Sequence, residues 1–164
     1  MMNAWIITAS NRASAGIYED LSGNILSTGL AELGYEISAQ IILPDDKSRI
    51  ASKIKEGIEK QVNLIVTTGG TGISPTDVTP EATKELIQRE LPGVMEALRA
   101  YSRDRVPTAD LTRGLAGVSG KSFILNLPGS PGGVKDGLVI IGRDRKSTRL
   151  NSSHVSESRM PSSA

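Results

Sequence analysis

The sequence predicts an α/β fold in which helices pack against a sheet of mostly parallel strands. Three short runs rich in apolar and β-branched residues, at residues 4–9, 35–43 and 64–68, have the length of strands. Two longer segments between these runs carry apolar residues at helical spacing. Strand–helix–strand–helix–strand order over short connections is typical of layered α/β domains with right-handed crossovers.

The two helices of this first half are predicted at residues 22–33 and 46–60. The first stops at Gly34, a residue common just after a helix. The second has isoleucines four residues apart and charged residues around them: Ile50, Ile54 and Ile58. The run at residues 64–68 (LIVTT) begins with three consecutive apolar residues, as in strands that are covered on both faces.

The sequence pattern of the second half of the chain predicts two helices and one strand. Thr79 is suited to be the N-cap of a helix that begins at Pro80 and runs to about Arg89. A second helix follows and extends through Tyr101, and residues 122–125 (SFIL) predict a short strand.

Length and composition exclude several function classes. The 164 residues suit one domain, and 19 basic against 18 acidic residues leave a formal charge of +1. The chain has no cysteine, which excludes disulfides, thiolate metal sites and a cysteine nucleophile. One histidine, His154, is too few for a multi-histidine metal site. A near-neutral charge and only five aromatic residues argue against a nucleic-acid-binding protein.

Localisation signals are not evident in the chain. Its apolar runs are far shorter than the roughly 20 residues that span a bilayer, and its first residues lack the basic region of a signal peptide. We therefore expect a cytoplasmic protein that binds neither membranes nor nucleic acids.

The composition changes near residue 142. Residues 1–142 are predicted to form one folded domain, which holds 14 basic and 16 acidic residues. Residues 143–164 are rich in serine and poor in large apolar groups, so they cannot bury enough surface to offset the entropy of ordering. We predict that residues 143–164 are a disordered, non-native tail, which contains His154.

A glycine-rich segment at residues 67–72 (TTGGTG) follows the third predicted strand. Glycines at this edge of an α/β sheet let backbone N–H groups turn toward a ligand anion. Asp77 follows five residues later, and a carboxylate beside a phosphate indicates a cation such as Mg²⁺ between them. A glycine-rich turn without a ligand is the alternative.

Two more segments follow predicted strands in the same way. Residues 126–133 (NLPGSPGG) offer Ser130 as an N-cap and form either a second anion site on the same rim or an unrelated turn. Asp46 is either the N-cap or an acidic residue in the first turn of the helix at residues 46–60. Asp45 is either a solvated side chain or a second carboxylate that pairs with Asp77 through a metal ion.

Together these motifs resemble the molybdenum-cofactor biosynthesis family, in its single-domain branch, over about residues 4–138. In chain order the matching motifs are Ser14-Ala15-Gly16, Asp20, Ser22-Gly23, Pro44-Asp45, residues 67–72, residues 77–83, Leu91-Pro92-Gly93, Thr112-Arg113 and residues 126–131. So many ordered motifs are more specific than any one of them alone.

The resemblance implies a three-layer α/β/α fold with a mostly parallel central sheet, assembled as a homotrimer. It also implies a nucleotidyltransferase that moves AMP from ATP to the phosphate of molybdopterin, releases pyrophosphate and requires Mg²⁺. A further implied partner is the molybdate-inserting enzyme of the same pathway. Asp45 and Asp77 match the family's catalytic, metal-binding aspartates. The matching substrate-binding residues are Gly69, Gly70, Thr71, Gly72, Thr79, Pro128, Gly129 and Ser130.

Two features depart from the family pattern. Asn11 stands where many relatives have an aspartate, which leaves an ionic role at this position in doubt, and the apolar helix that usually follows residue 138 is expected to be missing. Two alternatives to the enzyme stay open: a non-catalytic molybdopterin-binding or scaffold module, and a nucleotide-binding protein of unrelated function. The presence of Asp45 and Asp77 favours the enzyme.

Overall fold

A computed structural model describes the backbone of residues 1–153 and the side chains of residues 1–143. Its strands are β1 Asn3–Ala9, β2 Glu36–Leu43, β3 Leu64–Thr68, β4 Arg89–Glu90, β5 Ala116–Ser119 and β6 Ser122–Leu127. Its helices are α1 Asn11–Ser14, α2 Leu21–Glu32, α3 Lys47–Glu59, α4 Thr79–Lys84, α5 Pro92–Ser102 and α6 Pro131–Ser153, with a 3-10 turn at Ala109–Leu111. The strands and helices predicted in the first half are confirmed to within one residue.

The strands form one sheet in the order β2-β1-β3-β6-β5-β4. The first four strands in this order are mutually parallel. At one edge of the sheet β5 pairs antiparallel with β6, and β4 pairs antiparallel with β5. The chain passes from β1 to β2 on one side and later to β3 on the other, so a topological switch point lies between β1 and β3. Ligands of open α/β sheets bind in the crevice beyond the carboxyl ends of the strands at such a point.

Helices cover both faces of the sheet, which confirms the α/β/α fold with a mostly parallel sheet. Side chains alternate along β1: Ala4 and Ile6 join one core cluster, and Trp5 and Ile7 join the other. The first cluster lies under α2, α5 and α6, and the second lies under α3 and α4. The sheet is therefore buried on both sides, as its continuous apolar strands require.

Two expectations for the segment after β3 are wrong. Thr79 is the first residue of α4 and not its N-cap; Val78 holds that position without a side-chain hydrogen bond. The helix also ends at Lys84 instead of near Arg89. Residues 88–91 pair with β5 instead, through hydrogen bonds such as Gln88 N–H to Val118 O at 3.0 Å. Pairing with a remote strand overrides the local helical preference here.

Helix α6 begins at Pro131 and buries Val134, Ile140 and Ile141 against the first core cluster. It continues to Ser153, so residues 143–153 have helical backbone where the sequence predicts disorder. No proline or glycine lies within residues 143–153 to stop the helix. The rest of the predicted tail, with His154, lies outside the described residues. The domain boundary at residue 142 and a non-native origin of the tail stay predictions.

None of the helices in the described part of the chain has the length and apolar character to cross a membrane.

Candidate active site

The two glycine-rich segments lie side by side at the carboxyl ends of β3 and β6. We call residues 69–72 the first glycine turn and residues 128–133 the second. Gly69 N–H donates to Leu127 O at 3.0 Å, and the Thr68 hydroxyl donates to Pro128 O at 2.8 Å. A Cβ on Gly129 would lie 3.2 Å from the Cα of Gly69. The two turns therefore approach each other closely, as neighbouring parallel strands require.

A cavity of about 530 Å³ opens between the two turns. Its polar floor is made of Asp77 and most of the predicted substrate-binding residues: Gly69, Gly70, Thr71, Gly72, Pro128, Gly129 and Ser130. The rest of its lining comes from α5 and the segment after it, which contribute apolar side chains such as Leu98, Val106 and Leu111 together with polar ones such as Arg99. The cavity thus offers an apolar face to one part of a ligand and backbone donors to another.

A second cavity of about 340 Å³ adjoins the first and shares Gly69 and Gly129 with it. It lies at the switch point between β1 and β3, and its lining includes Ser10, Asp20 and Ser22. Asp20 caps α2 by accepting from Gly23 N–H at 3.0 Å and also accepts from the Thr8 hydroxyl at 2.7 Å. The Ser22 hydroxyl donates to Gly129 O at 2.7 Å. These bonds tie β1, α2 and the second glycine turn together.

The first glycine turn offers a row of free backbone donors. In the part of the chain that the structure describes, the N–H groups of Gly70, Thr71 and Gly72 have no hydrogen-bond acceptor. Gly69 and Gly70 have φ values of +94° and +69°, which L side chains rarely adopt. Successive N–H groups in such a backbone form a concave site for an anion.

The two predicted catalytic aspartates lie on either side of this turn. Asp77 lines the larger cavity, and its Oδ2 accepts from Ser74 N–H at 2.9 Å. Asp45 is half-buried beside the turn and lines neither of the two cavities; a Cβ on Gly70 would lie 3.2 Å from its Oδ1. Asp45 Oδ2 accepts from Asn11 N–H at 3.2 Å, and Asp45 N–H donates to the Asn11 side-chain oxygen at 2.8 Å.

The charge of Asp45 is poorly compensated. Its Oδ1 is buried and has no hydrogen-bond partner among the described residues. Burial raises the pKa of Asp45; the hydrogen bond from Asn11 opposes this rise, and the nearby charge of Asp77 adds to it. A buried, unpaired carboxylate oxygen next to a second carboxylate is an environment that favours a bound cation.

The same two carboxylates limit the kind of metal site that can form. Among the described residues there is no group of three or more histidine, cysteine, aspartate or glutamate side chains that could hold an ion. Mg²⁺ is usually held by one or two carboxylates together with phosphate oxygens and water. Asp45 and Asp77 fit that pattern, in which a phosphorylated substrate supplies the remaining ligands.

Thr79 differs from the other predicted substrate-binding residues. It is fully buried and is not part of the lining of either cavity. Its hydroxyl donates to Gly69 O at 3.0 Å, and its N–H donates to Gly70 O at 3.1 Å. Thr79 therefore contacts the back of the first glycine turn and not the cavity.

Two arginines hold the cavity together, and the sequence assigned neither of them a role, although Arg113 belongs to one of the motifs that match the family. Arg113 donates from Nε to Gly72 O at 2.8 Å and from Nη2 to Asp77 O at 2.9 Å, while Nη1 pairs with Glu81 at 2.6 Å. Arg99 lines the cavity and donates to Thr112 O at 2.8 Å. Both act on residues distant in sequence, so their local context carries no signal for these contacts. The hydrogen bond from Arg113 lowers the pKa of Glu81.

Comparison with known proteins shows the family to which this chain belongs. A family model described as a probable molybdopterin binding domain matches residues 5–146. The chain is 45% identical over 144 residues to the molybdopterin adenylyltransferase of Helicobacter pylori strain J99, covering 83% of this chain and 79% of that protein. It is 37% identical over 137 residues to the molybdopterin adenylyltransferase of Escherichia coli K12, covering 81% and 70%.

Two further matches concern a fused relative and a solved structure. A molybdenum cofactor biosynthesis bifunctional protein of Chlorobaculum tepidum is 36% identical over 136 residues, which cover 83% of this chain and 44% of that protein. The crystal structure of a molybdopterin biosynthesis protein from Mycobacterium abscessus superposes with a TM-score of 0.87 at 32% identity, covering 95% of this chain and 98% of that one. With its matching domain, its relatives and its α/β/α fold, the chain belongs to the molybdenum-cofactor biosynthesis family.

Proposed function

We propose that the protein is a molybdopterin adenylyltransferase, which transfers AMP from ATP to the phosphate of molybdopterin. The observation that carries this proposal is the pair of adjoining cavities that share Gly69 and Gly129. The larger cavity is lined by Asp77 and by three residues whose N–H groups have no acceptor among the described residues, and Asp45 lies beside the same glycine turn. Two substrates bound in neighbouring cavities would meet at the junction of the two cavities. Relatives that carry this enzyme name, at 45% and 37% identity, support the same conclusion.

The residues suit nucleotidyl transfer, which depends on positioning and on charge neutralisation. The molybdopterin phosphate oxygen attacks the α-phosphorus of ATP, and the bond from that phosphorus to the bridging oxygen breaks, so pyrophosphate leaves. The attacking phosphate is already ionised at neutral pH, so no general base is required. The N–H groups of Gly70, Thr71 and Gly72 are suited to bind phosphate oxygens. Pro128, Gly129 and Ser130 line the other side of the junction.

Asp45 and Asp77 are proposed to hold Mg²⁺ together with substrate phosphates. When bound, Mg²⁺ neutralises the negative charge that collects on the phosphates during transfer. The buried Oδ1 of Asp45, which has no hydrogen-bond partner within the described residues, supports this assignment. With pyrophosphate present, we expect Mg²⁺ to raise the melting temperature of the wild-type protein and to have little effect on an Asp45→Asn variant. An equal rise in both proteins would contradict the assignment.

Assembly and location are proposed from the family resemblance. We propose a homotrimer that acts in the cytoplasm and passes its product to the molybdate-inserting enzyme of the same pathway. The exposed apolar side chains Ile17, Leu21 and Ile42 offer surface for contacts between chains. The bifunctional relative supports a functional link to a second activity. Size-exclusion chromatography with light scattering tests the trimer, and a monomer at micromolar concentration would rule it out.

The deciding experiment incubates the purified full chain with molybdopterin, ATP and Mg²⁺ and measures adenylated molybdopterin and pyrophosphate. We expect the wild-type protein to form both products and Asp77→Ala to form about 100-fold less. Asp110→Ala is the matched control, because Asp110 is an exposed aspartate that lines neither cavity and, among the described residues, forms its ion pair with Arg103.

A wild-type protein that forms no more product than Asp77→Ala would overturn the enzyme proposal. Molybdopterin binding by that inactive protein would then support the non-catalytic module of the same family.

A further inference from the structure

The back of the first glycine turn is held by a row of donors from the rest of the protein. The Thr79 hydroxyl donates to Gly69 O at 3.0 Å, and Thr79 N–H donates to Gly70 O at 3.1 Å. Arg113 N–H donates to Thr71 O at 2.8 Å. Three successive carbonyl groups therefore have partners on the protein side of the turn.

These bonds determine where the free donors of the turn point. In a trans peptide the C=O group and the N–H group of the next residue point in opposite directions. The three peptides whose carbonyls are held carry the N–H groups of Gly70, Thr71 and Gly72. Those N–H groups therefore point away from Thr79 and Arg113. All three residues line the larger cavity, and these are the donors without an acceptor among the described residues.

Thr79 is itself held by a buried polar network. The Thr83 hydroxyl donates to Thr79 O at 2.8 Å, and Asn126 Nδ2 donates to the Thr83 hydroxyl at 3.1 Å and to the Thr67 hydroxyl at 2.9 Å. Asn126 Oδ1 accepts from Leu115 N–H at 3.0 Å. Thr67, Thr79, Thr83 and Asn126 are all 0% exposed. A buried network with these partners has a single well-defined arrangement, since any unmade bond would be costly.

We propose that Thr79 is a positioning residue that presets the three N–H donors of the first glycine turn for a phosphate group, and that Thr83 and Asn126 hold Thr79 in place. The proposal builds on the proposed function, because the phosphate is that of the nucleotide or the pyrophosphate product. It assigns Thr79 an indirect role, since a buried hydroxyl that already donates to Gly69 O is not available to the substrate.

The test compares two substitutions at Thr79 in the full chain. Thr79→Val keeps the shape of the side chain and removes the hydroxyl, whereas Thr79→Ser keeps the hydroxyl. Binding of pyrophosphate in the presence of Mg²⁺ is measured by calorimetry at a temperature well below the melting point of each variant. We expect Thr79→Val to weaken binding about tenfold and Thr79→Ser to restore it to within about twofold of wild type. Thr83→Val provides a second test, because Thr83 lies one hydrogen bond further from the turn than Thr79. We expect this variant to lose less affinity for pyrophosphate than Thr79→Val does.

Ser122→Ala is the control for a general loss of stability. The Ser122 hydroxyl is also buried and donates to a backbone carbonyl, that of Val62. Ser122 begins β6 and therefore lies at the end of this strand that is away from the glycine turns. We expect Ser122→Ala to lower the melting temperature without changing pyrophosphate binding. Equal affinity of wild type and Thr79→Val for pyrophosphate would overturn the proposal. An equal loss of affinity in Ser122→Ala, or no pyrophosphate binding by wild type, would also overturn it. Because the measurement needs no adenylyl transfer, a Thr79-dependent affinity in a protein that forms no product would overturn the proposed function alone.

Discussion

The two glycine turns follow neighbouring parallel strands, yet they are built in different ways. In the first turn, Gly69 and Gly70 have positive φ, and two aspartates lie beside it. In the second turn no glycine has positive φ. Its helical end is capped locally, because the Ser130 hydroxyl accepts from Gly133 N–H at 3.0 Å and Pro131 begins α6.

Both turns accept hydrogen bonds from residues distant in sequence, Thr79 and Arg113 at the first turn and Ser22 and Thr68 at the second. The difference is that the second turn also contains its own helix cap. The first turn is held by Thr79 and Arg113, whereas Ser130 and Pro131 are part of the second turn itself. Substitutions at the first turn should therefore impair both binding and folding. Substitutions that remove the cap of the second turn should lower the free energy of unfolding by the amount typical of a helix N-cap.

The largest expected effect comes from Gly69→Ala in the first turn. A Cβ at Gly69 would lie 2.3 Å from Ala9 O, and its φ of +94° is unfavourable for alanine. We expect a loss of about 2–4 kcal/mol in the free energy of unfolding, measured by urea denaturation. Gly132→Ala is the matched change in the second turn, where a Cβ would meet nothing within 4 Å. It should leave stability unchanged or slightly higher, and similar losses in both variants would contradict the comparison.

The next effect is expected at Arg113, which binds the first turn from outside. Lysine keeps the charge but cannot reach Gly72 O, Asp77 O and Glu81 together. We expect Arg113→Lys to reduce kcat/KM for adenylyl transfer about tenfold, since hydrogen bonds to charged groups contribute about 1.5–3 kcal/mol each. Arg103→Lys is the control, because Arg103 makes an exposed pair with Asp110. Full activity in Arg113→Lys would show that these contacts are dispensable.

A smaller effect is expected from Ser130→Ala in the second turn. Loss of the cap to Gly133 should lower the free energy of unfolding by about 1 kcal/mol. Ser130→Asp should retain most of the stability, because aspartate is also a good N-cap. Chemical denaturation of the three proteins measures the difference, and an equal loss in Ser130→Ala and Ser130→Asp would show that the cap is not the cause.

The smallest expected effect is a gain in stability from Asp45→Asn. Burial raises the pKa of Asp45 above its ordinary value, with Asp77 adding to the rise, so ionising this carboxyl opposes folding. The stability that the neutral form contributes is fully present below the unfolded-state pKa and is lost as the pH rises through the folded-state pKa. We therefore expect Asp45→Asn to melt slightly higher than wild type at neutral pH, with a gain that fades as the pH falls toward about 4. A gain that does not change with pH would exclude ionisation as its origin.

Local patterns predicted most of the first half of the fold. The Asp46 N-cap is confirmed, since its side chain accepts from Arg49 N–H at 3.1 Å. The pattern of Ile50, Ile54 and Ile58 also marks the face of α3 that packs on the sheet. Each of these signals lies within a few residues of the structure that it specifies. The antiparallel strands β4 and β5 were not predicted, because β4 is two residues long and β5 contains Gly117.

The sequence by itself determined the order of the three strands and the two longer helices within residues 3–68, the two glycine turns and the presence of two aspartates near strand ends. Tertiary structure decided which groups face a ligand. It buried Thr79 behind the turn, brought Arg113 against Gly72 O from 41 residues away and left one oxygen of Asp45 without a partner in the described part of the chain. The physical reason is the sequence separation of the interacting residues. Caps, turns and helical periodicity depend on residues close together in the chain, whereas the burial and pairing of a polar group depend on strands that meet only in the folded sheet.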